Sequence, residues 1–156
     1  MKNVKVLWSI IFIFFIVILA MGYKFVAGSV ESSEDNRIAV VLTHDERNLI
    51  LGEMRQFLIS VQAISQALTE EDIGKVVGLS AKAGMSAEAD TPGSIFRKIP
   101  LGMKMLGLDT RKKFDDMSAY AKNNQDIKAL RVQLDTILSN CVACHEAYKL
   151  SESADH

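Results

Sequence analysis

Cysteine is scarce in this chain. Only Cys141 and Cys144 are present, and both fall within one five-residue run. With no further thiol, and with His44 and His156 at no zinc-ligand spacing from the pair, a zinc site lacks a ligand set. Strand–helix alternation is also missing, and with it the βαβ setting in which a Cys-x-x-Cys redox dithiol belongs. There is no internal repeat and no low-complexity tract. Nor is there an excess of positive charge. All 19 acidic residues lie beyond Lys24, whereas Lys2, Lys5 and Lys24 are three of the 18 basic ones. The chain after Lys24 therefore carries 15 cations against 19 anions, a net of −4. That argues against nucleic acid.

One long apolar run is present. From Val6 to Tyr23 no residue is charged, and Lys24 closes the run. A helix needs about 17–25 apolar residues to cross ~30 Å of hydrocarbon, whereas the core of a cleavable signal is about 7–15. The length favours a retained anchor over 1–24. Small residues at Ala20, Gly22 and Gly28 keep a cleaved signal as the alternative. Lys2 and Lys5 hold the N-terminus in the cytoplasm, and Trp8 and Tyr23 occupy interfacial positions. The remainder is expected outside: a single-pass inner-membrane protein with its soluble part in the periplasm.

The two cysteines belong to Cys141-Val142-Ala143-Cys144-His145, a Cys-x-x-Cys-His run that is the attachment signature of haem c. The thiols form thioethers with the porphyrin vinyl groups, and His145 supplies an imidazole to the iron. Positions i, i+3 and i+4 share one helical face, so all three reach one flat macrocycle. The plainer alternatives are a dithiol, a zinc site or two small buried hydrophobes. His145 and the export signal favour one covalent haem.

Beyond the anchor, 25–42 is expected to be a linker. Glu31 to Asn36 is polar and suits a tether, and Ile38–Leu42 suits an extended arm along the domain rather than a lone strand. Thr43 and Glu46 form a capping box. Ile50, Met54, Phe57, Val61, Ile64 and Leu68 then repeat at helical spacing as a core stripe. Thr69 and Asp72 cap a second helix, over about 70–84. Residues 85–100 are less regular: Pro92-Gly93 marks a turn and Pro100 ends a short stretch. This connection is long enough to cover a haem edge. A third helix spans about 101–122, with Met105, Leu108, Phe114, Met117 and Tyr120 as its apolar residues. Asp126 caps a fourth, in which Ile127, Leu130, Leu134, Ile137, Cys141, Cys144 and Tyr148 form a second stripe. The expected fold is all-α: an antiparallel four-helix bundle over 43–150 behind an N-terminal transmembrane helix, with 151–156 as a tail. Cofactors of such bundles sit between facing helices.

On Cys141, Cys144 and His145 near the end of the last helix, followed by Tyr148-Lys149, the chain resembles the class II cytochromes c, the cytochrome c-prime group. The first helix, from Glu46-Arg47 to Gln66-Ala67, looks similar too. The resemblance implies His145 as proximal ligand. It also implies a distal side that is either open to small gases such as nitric oxide or carbon monoxide, or closed by a first-helix methionine for electron transfer. The family's distal position corresponds to Leu51, and Met54 lies one turn on, along the inward stripe. Arg47 is a further candidate, as partner of a haem propionate. The leading expectation is an electron carrier with redox partner proteins of basic charge. A gas-binding protein is the alternative. An enzyme is not expected, since peroxidase chemistry wants polar distal acid–base groups and His44 is the only histidine near the first helix. The oligomeric state, monomer or homodimer, is left open.

Overall fold

The computed structural model describes residues 2–153; His156 and the rest of the expected tail beyond Ser153 lie outside the described residues. Among the described residues the chain is mostly helical, with six α-helices, one short 3-10 turn and a small three-stranded sheet.

α1 (Lys2–Ala27) carries the apolar run. Within it Val4–Ala27 is long and apolar enough to cross a membrane, and none of it is buried against the rest of the chain. It ends at Gly28, whose φ of 71° is the left-handed conformation of a helix C-terminus.

α2 (His44–Thr69) begins at the expected capping box. Glu46 N donates to Thr43 Oγ1 at 3.4 Å, and Thr43 N donates to Glu46 Oε2 at 2.9 Å. α3 (Ile73–Ala83) follows a turn in which Glu71 takes a φ of 57°. Asp72 caps it by accepting from Lys75 N at 3.0 Å. The irregular stretch then resolves into a 3-10 turn (Met85–Asp90) and a six-residue α4 (Gly93–Lys98) that starts after Pro92. Proline suits that place because its missing N–H would have no intrahelical partner there. α5 (Leu101–Asn123) starts after Pro100 for the same reason. α6 (Ile127–Ala147) is capped by Asp126, which accepts from Ala129 N at 3.0 Å.

The stretch expected to be a linker and an extended arm is ordered differently. β1 (Val30–Ser32) and β2 (Ile38–Leu42) form an antiparallel hairpin, and β3 (Tyr148–Glu152) pairs in parallel with β2. The order is β1-β2-β3, so Ile38–Leu42 is the central strand. A lone strand would leave its backbone groups unpaired; here both edges are satisfied, by the preceding polar segment and by the residues after the haem-type motif. The turn between β1 and β2 uses Asn36 at φ 63°. Asp35 holds it by ion pairing with Arg37 at 2.7 Å and Lys149 at 3.5 Å. Hydrogen bonds from Arg37 and Ser33 keep the Asp35 carboxyl far below its usual range.

Two apolar cores follow. The larger joins α2, α3, α5 and α6 through Ile64, Leu68, Val76, Phe114, Met117, Leu130, Leu134 and Ile137. The smaller joins β2, α2 and α4 through Val40, Leu42, Ile50 and Ile95, with Met54, Ile99, Met103, Tyr148 and Leu150 packed against it.

Candidate functional site

Between the two cores lies a cavity of about 440 Å³. Its walls are α2, the α4 region, α5 and the last turns of α6. It falls where the helical stripes change character. On α2 the ends of the stripe, Ile50, Ile64 and Leu68, are buried, whereas its middle, Met54, Phe57 and Val61, is only half-buried. On α6 the stripe is buried at Leu130, Leu134 and Ile137 and half-buried at Cys141 and Cys144. Met54, Phe57, Val61, Cys141 and Cys144, whose spacing marks them as core yet which the fold leaves partly uncovered, all line the cavity.

Cys141, Cys144 and His145 all line it, together with Leu51 and Met54 from α2. Residues on α6 that are about 90 positions from α2 in sequence are thus brought to one space. Both cysteines are free thiols. Burial pushes each thiol above its usual range, and for Cys144 the neighbouring Cys141 adds to this. A reactive redox dithiol needs the opposite shift, because the thiolate is the nucleophile. Cys141 Sγ lies 3.7 Å from the Ile137 carbonyl oxygen, a weak hydrogen bond along its own helix. His145 is exposed, and its backbone carbonyl accepts from Arg37 Nη1 at 3.3 Å, so the β1–β2 hairpin holds the end of α6. Among the described residues no three His, Cys, Asp or Glu side chains converge as a metal-ion site.

Arg47 does not line the cavity. The cations that do are the exposed Arg55 of α2 and, further along the chain, the buried Lys104 and Arg111. Arg111 is only 5% exposed. Its guanidinium lies 4.8 Å from the Phe57 ring centre and reaches Glu53 Oε2 at 3.4 Å. Glu53 Oε1 also accepts from Thr91 Oγ1 at 3.3 Å, which ties α2, α5 and the α4 region together at one side of the space. Lys104 is 4% exposed, and burial pushes its ammonium below its usual range. Its Nζ donates to the Phe25 carbonyl of α1 at 2.7 Å. Phe96 of α4 adds an aromatic wall. The short α4 therefore lines one side of the cavity through Ile95 and Phe96.

The buried cations escaped the sequence reading because an isolated Lys or Arg on a helix usually marks a solvated face. A signal was present: Lys104, Arg111 and Ser118 recur every seven residues, and all are buried. Met105, taken as one of the inward apolar residues of the third helix, is instead 57% exposed. Its neighbour Lys104 occupies the buried position, displacing the inward face by one residue. His44 is away from the cavity, with Nδ1 3.1 Å from Glu152 Oε1 and Nε2 2.9 Å from the Asn48 amide.

Comparison with protein-family models, with curated proteins and with solved structures returns no match for this chain.

Proposed function

We propose that this chain is a membrane-anchored, monohaem c-type cytochrome whose soluble part lies on the periplasmic side of the inner membrane and carries electrons to and from protein partners. In this reading α2, α3, α5 and α6 are an antiparallel four-helix bundle of the class II cytochrome c kind. The core shared by those four helices supports that arrangement. The observation that carries the functional reading is the convergence of Cys141, Cys144 and His145 with Met54 on one largely apolar cavity.

The residues present fit haem c. The cavity lies within the ~300–1,000 Å³ of ordinary cofactor sites, and its motif residues sit at positions i, i+3 and i+4 of α6. Haem bound there supplies a one-electron iron couple. Cys141 and Cys144 would hold it by thioethers, and His145 would supply an imidazole nitrogen to the iron. Met54, which lines the same cavity, would offer a soft thioether as a further iron ligand, and His/Met ligation favours electron transfer. The walls are largely apolar, and Arg55, Arg111 and Lys104 are the cations available to carboxylates at the cavity's edges. Glu53 holds Arg111 in place by the contact at 3.4 Å. A second reading, a five-coordinate protein that binds small gases, is favoured by Leu51, which lines the same cavity and has no ligating atom.

The test is the mass of the mature protein produced in a host that attaches haem c. It is expected to exceed the polypeptide by one haem, and the Cys141→Ala/Cys144→Ala variant is expected to lose all covalent haem stain on a denaturing gel. Full staining of that variant would sink the assignment.

A further inference from the structure

The last turn of α1 is clamped to α4 and α5. Ser29 N donates to the Lys98 carbonyl at 2.7 Å. The Lys104 ammonium bonds the Phe25 carbonyl and lies 3.8 Å from the Phe25 ring centre. The Phe25 and Phe96 rings pack with centres 6.2 Å apart. Gly28 sits so close to the α4–α5 junction that a Cβ there would lie 2.7 Å from Pro100 N. The domain is thus fixed at the end of the apolar helix, with no flexible tether between them.

Beside this clamp the surface changes composition. Leu101 and Met105, at i and i+4 of α5, are 37% and 57% exposed. Lys24 of α1 and Arg97 of α4 are exposed next to the same contacts. Exposed apolar side chains bordered by cations match the composition of a membrane interface, where basic side chains reach lipid headgroups and apolar ones enter the acyl boundary. Lys104, between Leu101 and Met105 in α5, contacts Phe25 at the end of the Val4–Ala27 segment.

We propose that the α1–α4–α5 junction, with Leu101 and Met105, docks on the headgroup layer of the bilayer that α1 spans, one containing anionic phospholipid. This rests on the anchor reading of α1. Two walls of the cavity, α4 and the first turns of α5, are then held at the membrane surface.

The experiment uses the full chain in phosphatidylcholine/phosphatidylglycerol vesicles, made with plain or brominated acyl chains. The ratio of tryptophan emission in the two vesicle types cancels quenching by any bound group. Trp8, the only tryptophan in the chain, reports on α1 itself. Met105→Trp in a Trp8→Phe background reports on the patch. Val132→Trp in the same background is the control: Val132 is 58% exposed and stands about 24 Å before Tyr148 along α6, while Tyr148 touches Gly102 beside the clamp. All three positions are exposed, and an unchanged far-UV circular dichroism spectrum checks the fold. Quenching at Met105→Trp is expected to exceed that at Val132→Trp by about twofold or more, since an interfacial side chain enters the boundary by ~5–10 Å. If Trp8 is quenched but Met105→Trp is quenched no more than Val132→Trp, docking is overturned and the anchor stands. If Trp8 is unquenched, both readings fall.

Discussion

Replacing Met54 separates packing from ligation. Met54 is half-buried, packs against the smaller core and lines the cavity. A fully buried methionine cut to alanine costs ~2–5 kcal/mol. With half the side chain already uncovered, Met54→Ala is expected to cost about 1–2 kcal/mol, a fall of roughly 4–8 °C in Tm for a domain of this size. Met54→Leu conserves volume and is expected to cost less than about 1.5 kcal/mol. Packing therefore ranks the two variants apart, whereas ligation ranks them together, because neither carries a thioether. If Met54 ligates, the parent is low-spin and slow to bind carbon monoxide, and both variants are high-spin and bind it readily. The assay is the absorption spectrum of the reduced protein with and without carbon monoxide, alongside thermal melts. A parent that is already high-spin and binds carbon monoxide at once would refute ligation; Met54 would then only pack, and the gas-binding reading would lead.

Two further predictions concern how the fold is held. Glu46 closes the capping box and pairs with Lys98 Nζ at 2.6 Å. Burial acts to raise its pKa, but hydrogen bonds and charge from Lys98 and the Thr43 backbone outweigh burial and lower it below the ordinary 4.5. A lowered carboxylate pKa adds stability that is present above the unfolded value and lost as pH falls through the folded one. Glu46→Gln keeps a box-forming side chain and removes only the charge, so it is expected to cost about 0.5–1 kcal/mol at pH 7 in urea melts. That difference should vanish once the pH is below the folded pKa, and a pH-independent cost would count against the pairing. Gly28→Ala forces a Cβ into the left-handed region and against Pro100 N, at about 1–2 kcal/mol of local strain. The Ser29 amide, bonded to Lys98 O, should then exchange its hydrogen faster; unchanged protection would mean that the clamp tolerates a side chain.

The helices were legible because their signals are local. Thr43 with Glu46, and Asp126, each cap a helix where the sequence places the start, whereas of Thr69 and Asp72 only Asp72 caps, because α2 runs on through Thr69 and α3 starts at Ile73 rather than near 70. The stripes on α2 and α6 follow from periodicity alone. The sheet was not legible, because its central strand is completed by Tyr148–Glu152, over a hundred residues away. No local pattern announces a parallel pairing of that range. Tyr148, expected as the last member of the α6 stripe, and Lys149 are the first two residues of that strand, and Ser151 and Glu152, expected in the tail, are its last two.

The same contrast explains the site. Periodicity identified which residues face inward, but it cannot say whether an inward position is filled by neighbouring side chains or left for something else. On α2 and α6 the fold makes that distinction: Ile64 and Ile137 are covered, while Met54, Phe57, Cys141 and Cys144 are not. An apolar stripe uncovered at its middle is unfavourable for the empty chain, since half-buried side chains forgo part of their ~25 cal/mol per Å² of burial. An occupant that is flat, apolar and held by two thiols recovers that burial. On α5 the inward line passes through Lys104 and Arg111 instead, which places two cations in the cavity wall near its apolar residues. An apolar interior with charge at its edges matches the amphipathic character of haem, whose macrocycle is apolar and whose propionates are anionic. In the proposed reading the five-residue motif and the distribution of burial serve the same ligand. The first depends only on covalent sequence, and the second only on how four helices pack.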